Sequence, residues 1–152
     1  MIKISVGEAD FDLNAELAVM RNGRADIGAI CSFMGLVRET NIGSNIASLT
    51  LEHYPGMTEK SLIKIVADAN VRWPLQAVTV IHRVGKLVAT DNIVLVLVAS
   101  AHRQAAFNGC EFIMDYLKTD APFWKQESTE TGVRWIDARQ SDTAALARWN
   151  KI

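Results

Sequence analysis

The sequence predicts an α+β fold in which one domain, residues 1–152, packs helices on a mixed or antiparallel sheet. Segments in which apolar and polar residues alternate, as is typical of strands, are interspersed with segments of helical spacing. These segments do not follow the strict strand–helix–strand order of a doubly wound sheet. The sequence also contains no repeat, no low-complexity stretch and no long linker that would divide the chain.

In the first half of the chain, three strands and two helices are predicted. The strands are residues 2–6, 29–37 and 46–53, and the first helix is residues 13–20. A polar loop occupies residues 39–45, and Tyr54-Pro-Gly56 ends the third strand. Thr58 is expected to cap the second helix, which ends at Trp73-Pro74 and has the apolar stripe Leu62, Ile65, Val66 and Ala69.

In the second half, residues 77–84 and 92–100 are predicted strands. The second of them is apolar throughout, which is typical of a central strand covered on both faces. Pro122 ends a long helix over residues 102–117, whose apolar stripe is Ala106, Cys110, Ile113, Met114 and Leu117. Residues 123–128 and 133–137 are predicted to form a hairpin around Glu130-Thr-Gly132, and residues 142–149 a short final helix.

Composition restricts the classes of function. Hydrophobic residues make up 49% of the chain and charged residues 22%, which is ordinary for a globular protein. A net charge of -1 gives no basic excess for nucleic-acid binding, so any bound anion must be held by a local cluster of Lys and Arg. The longest apolar run, residues 93–99, is too short to span a bilayer. With two cysteines and no signal peptide at the N-terminus, a reducing, cytoplasmic environment is expected.

No metal or cofactor is predicted from the sequence. His53 and His82 lie in strand patterns without companions at metal-ligand spacing. Phosphate-binding P-loop, dinucleotide-binding glycine and G-x-S-x-G motifs do not occur. Cys31 and Cys110 could carry sulfur as persulfides, but a small apolar residue in the core is the simpler explanation of both.

The lysine pair Lys118 and Lys125 is the first candidate for chemistry. Lys118 stands at a helix end, where its charge would also complement the helix dipole, and Lys125 could simply be exposed on a strand. The pair gains weight because the segment between them, Ala121-Pro-Phe-Trp124, is apolar and stiff. Amines beside such a wall are partly desolvated, which lowers a lysine pKa and makes the amine usable as a base or nucleophile.

Four further basic residues, in three parts of the sequence, are candidates for anion binding. Arg38 emerges from a strand into a polar loop, which suits bidentate binding of a phosphate or carboxylate, although a surface arginine is the alternative. His102 and Arg103 stand at a predicted helix start, where backbone N–H groups favour anions, although an exposed first turn is equally consistent. Arg139 follows the hairpin and is, in isolation, typical of a surface residue.

Helix length constrains how these residues can combine. His102 and Lys118 are 16 residues apart in the sequence. At ~1.5 Å rise per residue, a helix separates them by more than ~20 Å, too far for one small-molecule site in one chain. Either there are two sites, or one site is shared between two copies in a symmetric dimer, and the shared site is favoured because such dimers are the commonest oligomers.

Several long and unusual strings occur in order along the chain. They are Ser32-Phe-Met-Gly-Leu-Val-Arg38, Leu51-Glu-His-Tyr-Pro-Gly-Met-Thr-Glu-Lys60, Val80-Ile-His-Arg-Val-Gly85, Ser100-Ala-His-Arg103 and Phe112-Ile-Met-Asp-Tyr-Leu-Lys-Thr-Asp-Ala-Pro-Phe-Trp-Lys125. These strings closely resemble the family of large, catalytic subunits of molybdopterin synthase. The resemblance runs from about Val6 to Trp149 and is far more specific than a short motif.

The resemblance implies a fold, partners and a reaction. The fold would be of the α/β-hammerhead type, in a homodimer whose large subunits each bind a small ubiquitin-like sulfur carrier, giving a heterotetramer. The carrier's C-terminal Gly-Gly thiocarboxylate would enter the pocket and supply sulfur. Two such transfers would convert cyclic pyranopterin monophosphate into the dithiolene of molybdopterin, without a further cofactor.

The resemblance also implies which residues act. Lys118 and Lys125 would be catalytic. Gln126 stands where family members often have a basic residue, which leaves its part in phosphate binding open. The implied substrate-binding positions are Phe33, Val37, Arg38, His102, Arg103, Met114, Gln126, Glu127 and Arg139.

A non-catalytic function is the alternative. The chain would then be a dimeric module that recognises the tail of a ubiquitin-like partner through its cationic pocket. The presence of both lysines and all the arginines favours the enzyme, because tail binding alone would need fewer cations.

Overall fold

In the computed structural model, which describes residues 1–41, 44–137 and 140–151, the chain forms two sheets and four α-helices. The predicted α+β class is therefore confirmed. The strands are β1 Ile2–Gly7, β2 Ala29–Leu36, β3 Thr40–Asn41, β4 Ser44–His53, β5 Leu75–Arg83, β6 Gly85–Leu87, β7 Asn92–Ser100, β8 Phe123–Thr129 and β9 Gly132–Ile136. The helices are α1 Leu13–Arg21, α2 Met57–Arg72, α3 Arg103–Asp120 and α4 Gln140–Ala147, and a 3-10 turn follows at Arg148–Lys151.

The first sheet has the strand order β1-β5-β7-β2 and is mixed, because β1 runs parallel to β5 while the other pairs are antiparallel. β7 lies inside this sheet and is buried from Val94 to Ser100, which confirms the prediction of a central, doubly covered strand. Helices α2 and α3 cover one face with their predicted apolar stripes, all of whose residues are buried. The other face packs on α1, where Met20 is fully buried.

The second sheet is built on the long strand β4, which pairs with β3, β6 and β8, and β8 continues into the hairpin with β9. Its core consists of Val37, Leu49, Leu51, Val84 and Leu87. Three side chains, Val6, Ile93 and Phe123, pack against this cluster and also against the large core beneath α2 and α3. The two sheets therefore meet along a continuous apolar seam.

The start of α2 differs from the prediction. Gly56, with φ of 82°, is the N-cap, and its backbone N–H donates to Glu59 Oε2 at 2.6 Å. Thr58 is fully buried inside the first turn, and its hydroxyl donates to the carbonyl of Tyr54 at 3.0 Å. The predicted cap at Thr58 was wrong because a glycine in the left-handed region, together with a glutamate three residues later, supplies the cap first.

Other boundaries also differ. The segment 39–45, predicted as a loop, contains the two-residue strand β3 and the start of β4, while Ile42 and Gly43 lie outside the described residues. The short strand β6 was not predicted, because three residues give no measurable periodicity. α3 extends to Asp120, and α4 begins at Gln140, slightly before its predicted start. None of the helices in the described ranges is long and apolar enough to cross a membrane.

Candidate functional site

A cavity of about 460 Å³ opens where the C-terminal end of α3, strand β8 and the end of β2 come together. Its lining is mixed, with apolar side chains from the seam between the sheets and charged side chains around them. The predicted site residues that line it are Phe33, Val37, Arg38, Met114, Lys118, Lys125 and Glu127. Predicted site residues from three separate parts of the sequence thus converge on one cavity.

The two lysines reach the cavity from opposite sides of a sharp reversal. Lys118 lies in the last turn of α3, which ends at Asp120 because Pro122 cannot continue it. The chain then turns back as β8, whose third residue is Lys125. Lys118 is 44% exposed, and its Nζ lies 3.9 Å from Oδ1 of Asp142 on α4. The amine of Lys118 is therefore at the cavity mouth and already faces a carboxylate.

The apolar wall between the lysines consists of alternate residues only. Ala121 and Phe123 line the cavity, and Ala121 is buried. Trp124 points to the other face of β8, as alternation along a strand requires, where it is 46% exposed and lies 6.0 Å from the ring of Tyr54. The prediction that all four residues form the apolar wall is therefore wrong for Pro122 and Trp124, which do not line the cavity.

Arg38 is the second residue after β2, and Val37, which stands between them, fixes its position. The backbone of Val37 is held on both sides, since its N–H donates to the Asp91 carbonyl and its carbonyl accepts from Thr90 N–H, each at 2.9 Å. The strand approaches β7 closely at Gly35, where a Cβ would lie 2.8 Å from Val94 Cγ1. Arg38 itself is exposed and lines the cavity, and a guanidinium in such a position is suited to binding an anion.

Glu127 contributes a buried carboxylate to the same wall. Its side chain is 4% exposed, and its Oε2 accepts from Nε and Nη2 of Arg134 at 3.0 and 2.9 Å. The two residues are direct partners in the β8–β9 hairpin. This ion pair offsets the negative charge of Glu127, so the cationic character given by Arg38 and the lysines is retained.

His82, at the end of β5, also lines the cavity and is only 4% exposed. Its ring stacks on Phe123 with centroids 3.8 Å apart and an interplanar angle of 17°. Burial lowers the pKa of His82 from 6.5 to about 4, and the nearby charges of Lys125 and His53 act in the same direction. The imidazole is therefore neutral at physiological pH.

Three of the predicted site residues do not line this cavity. His102 and Arg103 are exposed at the start of α3, about 22 Å along the helix axis from Lys118. Gln126 lies between Lys125 and Glu127 on β8 and so has its side chain on the opposite face. Arg139 lies outside the described residues. Within one chain, the structure thus brings together only part of the predicted set.

The two cysteines are away from the cavity lining. Cys110 lies on the buried face of α3 and adjoins Cys31 of β2. Burial and the neighbouring sulfur of Cys31 raise the pKa of the Cys110 thiol far above its usual range. Cys110 is therefore held as an unreactive thiol.

Sequence patterns missed His82, Arg134 and Asp142. Arg134 could have been found from the hairpin, since a two-residue turn at Glu130 and Thr131 places residue 134 opposite residue 127. His82 and Asp142 gave no comparable signal, because both depend on how distant elements pack. Among the described residues, no group of three or more His, Cys, Asp or Glu side chains could hold a metal ion.

Comparison with known proteins gives consistent matches. The model of the MoaE protein family matches residues 6–120. A molybdopterin synthase catalytic subunit of Ralstonia nicotianae is 61% identical over 152 residues, covering 100% of this chain and 86% of the relative.

Solved structures agree with the sequence matches. The molybdopterin biosynthesis MoaE protein from Burkholderia ambifaria superposes with a TM-score of 0.85 at 53% identity, covering 99% of both chains. Molybdopterin synthase from Staphylococcus aureus superposes with a TM-score of 0.81 at 30% identity, covering 88% of this chain and 96% of that one.

Proposed function

This chain belongs to the MoaE protein family, and we propose on that basis that it acts as the catalytic subunit of a molybdopterin synthase. It is then a sulfurtransferase of molybdenum cofactor biosynthesis. Two sulfur atoms pass from the C-terminal thiocarboxylate of a small ubiquitin-like carrier to cyclic pyranopterin monophosphate, which becomes the dithiolene of molybdopterin. The observation that carries this proposal is the 61% identity to a molybdopterin synthase catalytic subunit over the whole length of the chain.

The charge of the cavity suits both reactants. The thiocarboxylate tail and the cyclic phosphate are anions, whereas the chain as a whole has a net charge of -1. Arg38, Lys118 and Lys125 concentrate positive charge at one cavity. Local cations in a partly water-excluded site attract both anions and stabilise negative charge that develops during sulfur transfer.

The two lysines have separate positions and therefore separate roles in this proposal. Lys118 at the cavity mouth meets the incoming thiocarboxylate and assists the acid–base steps of sulfur addition and cyclic-phosphate opening. Lys125, on a strand deeper in the same wall, holds the substrate and stabilises developing negative charge. Phe33, Val37, Met114 and Glu127 complete the part of the pocket that one chain supplies.

A second copy of the chain completes the site in this proposal. His102 and Arg103 lie at the far end of α3 from Lys118, so they bind substrate only in a pocket of the neighbouring copy. Arg139 and Gln126 are assigned to substrate binding on the family resemblance alone. The assembly is a homodimer of this chain with one carrier on each copy, which is a heterotetramer.

The proposal also covers domain organisation and location. Residues 1–152 act as one catalytic-subunit domain, which is supported by the apolar seam shared by the two sheets. The location is cytoplasmic, which is supported by the adjacent free thiols of Cys31 and Cys110.

One reconstitution tests the proposed function. The purified chain is mixed with thiocarboxylated carrier and cyclic pyranopterin monophosphate, and dithiolene formation is followed. A carrier that ends in an ordinary Gly-Gly carboxylate is the control and is expected to give no product. If the chain binds the thiocarboxylated tail and no dithiolene forms, the chain is a non-catalytic tail-binding module instead.

A further inference from the structure

His82 gives the cavity a buried, neutral polar side chain, which the cationic residues around it do not provide. It belongs to β5, and alternation along the strand places its ring on the same face as Val80, toward the core beneath α3. The ring lines the cavity that also contains Lys118 and Lys125. A polar side chain that is 4% exposed in an apolar surrounding requires a specific reason for its presence.

The orientation and tautomer of the ring are fixed by two contacts. Nδ1 lies 2.8 Å from the carbonyl oxygen of Arg83, and because a carbonyl can only accept, Nδ1 carries the proton and donates. Phe123 stacks on one face of the ring with centroids 3.8 Å apart, which prevents rotation. In the neutral ring, Nε2 then carries the lone pair and can only accept.

This acceptor differs from the charged groups around it. Arg38, Lys118 and Lys125 are donors only. The carboxylates of Glu127, Asp137 and Asp142 are acceptors, but their negative charge disfavours an anionic ligand nearby. Since burial and the charge of Lys125 keep the pKa of His82 low, its ring stays neutral and accepts a hydrogen bond without repelling the phosphate of a substrate.

We propose that His82 is a substrate-positioning residue, whose Nε2 accepts a hydrogen bond from an N–H group of the pterin ring while the cations of the cavity hold the phosphate. This inference rests on the proposed function, because it assumes a pterin in the cavity. Pterins have amino and ring N–H donors at the end remote from the phosphate, and a neutral acceptor fixed by Arg83 and Phe123 selects one orientation of that end.

The test compares ligands that do and do not contain the pterin. In His82→Phe, the stacking partner of Phe123 is kept and the acceptor is removed. The dissociation constant for cyclic pyranopterin monophosphate is expected to rise roughly tenfold, the value of one neutral hydrogen bond, when measured by calorimetry. Affinities for inorganic phosphate and for the thiocarboxylated carrier are expected to stay at the wild-type value, because the cations that hold these anions are unchanged.

Two further variants make the comparison specific. His82→Gln puts an amide oxygen close to the position of Nε2 and is expected to recover most of the pterin affinity. His53→Phe changes a neighbouring histidine that does not line the cavity and is expected to bind the pterin like the wild type. Equal pterin affinity in His82→Phe and the wild type, or a parallel loss for all three ligands, would overturn the positioning role.

A measurement on the unaltered protein covers the case in which His82→Phe does not fold. The ¹⁵N resonance of His82 Nε2 is expected to shift when cyclic pyranopterin monophosphate saturates the chain and to stay in place with inorganic phosphate. A resonance that stays in place with both ligands overturns the inference.

If the wild type makes dithiolene while the resonance and the His82→Phe affinity are unchanged, only the role of His82 fails. If the wild type binds no cyclic pterin, the proposed function fails with it.

Discussion

Glu127 and Arg134 face each other across the β8–β9 hairpin, and both Nε and Nη2 of the arginine donate to the same carboxylate oxygen at 3.0 and 2.9 Å. The carboxylate is almost fully buried in the cavity wall, whereas the arginine is partly exposed. A charge taken out of water in this way is tolerated only with a partner. Arg134 therefore makes it possible to have an acidic residue beside the two lysines.

Replacing Arg134 by Met is expected to lower the free energy of unfolding by about 1–3 kcal/mol, because a buried carboxylate loses a charged hydrogen-bond partner. Urea denaturation measures the change. The double variant Arg134→Met with Glu127→Gln is expected to recover much of the loss, since the buried charge that lost its arginine is gone. Arg21→Met, at an exposed position on α1, is the control and is expected to change stability little. Additive losses in the double variant would contradict the assigned pairing.

Lys118→Ala is expected to reduce dithiolene formation at least ~100-fold, because an amine that assists proton transfer at the reacting centre is lost. The rate is measured with thiocarboxylated carrier in excess, and circular dichroism checks that the fold is retained. Lys60→Ala, on the exposed side of α2, is the matched control and is expected to leave the rate unchanged. Near-normal product formation by Lys118→Ala would show that the catalytic assignment is wrong.

Much of the fold follows from local patterns. The apolar stripes of α2 and α3 and the continuous apolar run of β7 are periodic over many residues, and burial of these faces is what stabilises the domain. The cap of α2 did not follow, because Gly56 and Thr58 both suit a helix start. In the structure Gly56 is the cap, and Thr58 lies in the first turn with its hydroxyl donating to the Tyr54 carbonyl.

The part of the cavity that depends on a chain reversal could be predicted from the sequence. Pro122 ends α3 and brings Lys118 and Lys125 to one cavity, which the sequence indicates. His82 reaches the same cavity from a strand 36 residues before Lys118 in the sequence, and its alternation predicts burial without naming the neighbour of the ring. Contacts of this kind depend on how sheets pack on each other and have no signature in sequence spacing.

Asp142→Asn is expected to tighten binding of the carrier's anionic tail up to about fivefold at low salt, because Asp142 lies 3.9 Å from the Lys118 amine and competes for its charge. The stability of the fold is expected to change little, since the pair is partly exposed. Calorimetric titration at low and high salt measures the effect, which screening should reduce. Asp68→Asn removes an exposed ion pair with Lys64 on α2 and is expected to leave tail binding unchanged. Weaker tail binding in Asp142→Asn would mean that Asp142 orients Lys118 instead.

The double variant Cys31→Ala with Cys110→Ala is expected to form dithiolene at close to the wild-type rate. In the proposed reaction sulfur arrives on the carrier, and burial keeps Cys110 as an unreactive thiol by raising its pKa. Alanine is preferred to serine because it adds no polar group at the buried position of Cys110. Loss of activity in a variant that remains folded would support a persulfide on one of these thiols.

Stability is expected to fall as the pH drops from about 6.5 to about 4, with a contribution from His82. Burial, aided by the charges of Lys125 on β8 and His53 on β4, lowers the pKa of His82 in the folded chain from 6.5 to about 4. Between these pH values the unfolded chain binds a proton at His82 that the folded chain does not, so a falling pH favours unfolding. The loss of stability due to His82 is absent only above about pH 6.5. At about 1.4 kcal/mol for each pKa unit, His82 accounts for about 3 kcal/mol of this loss.

Urea denaturation at pH 7 and pH 4.5 measures this contribution. The variant His82→Gln has no titrating ring and is expected to lose less stability than the wild type between the two pH values. His102→Gln removes an exposed histidine and is expected to keep the wild-type pH dependence. Equal pH dependence in His82→Gln and the wild type would mean that the pKa of the ring is the same in the folded and the unfolded chain. Burial would then not keep the ring neutral below about pH 6.5.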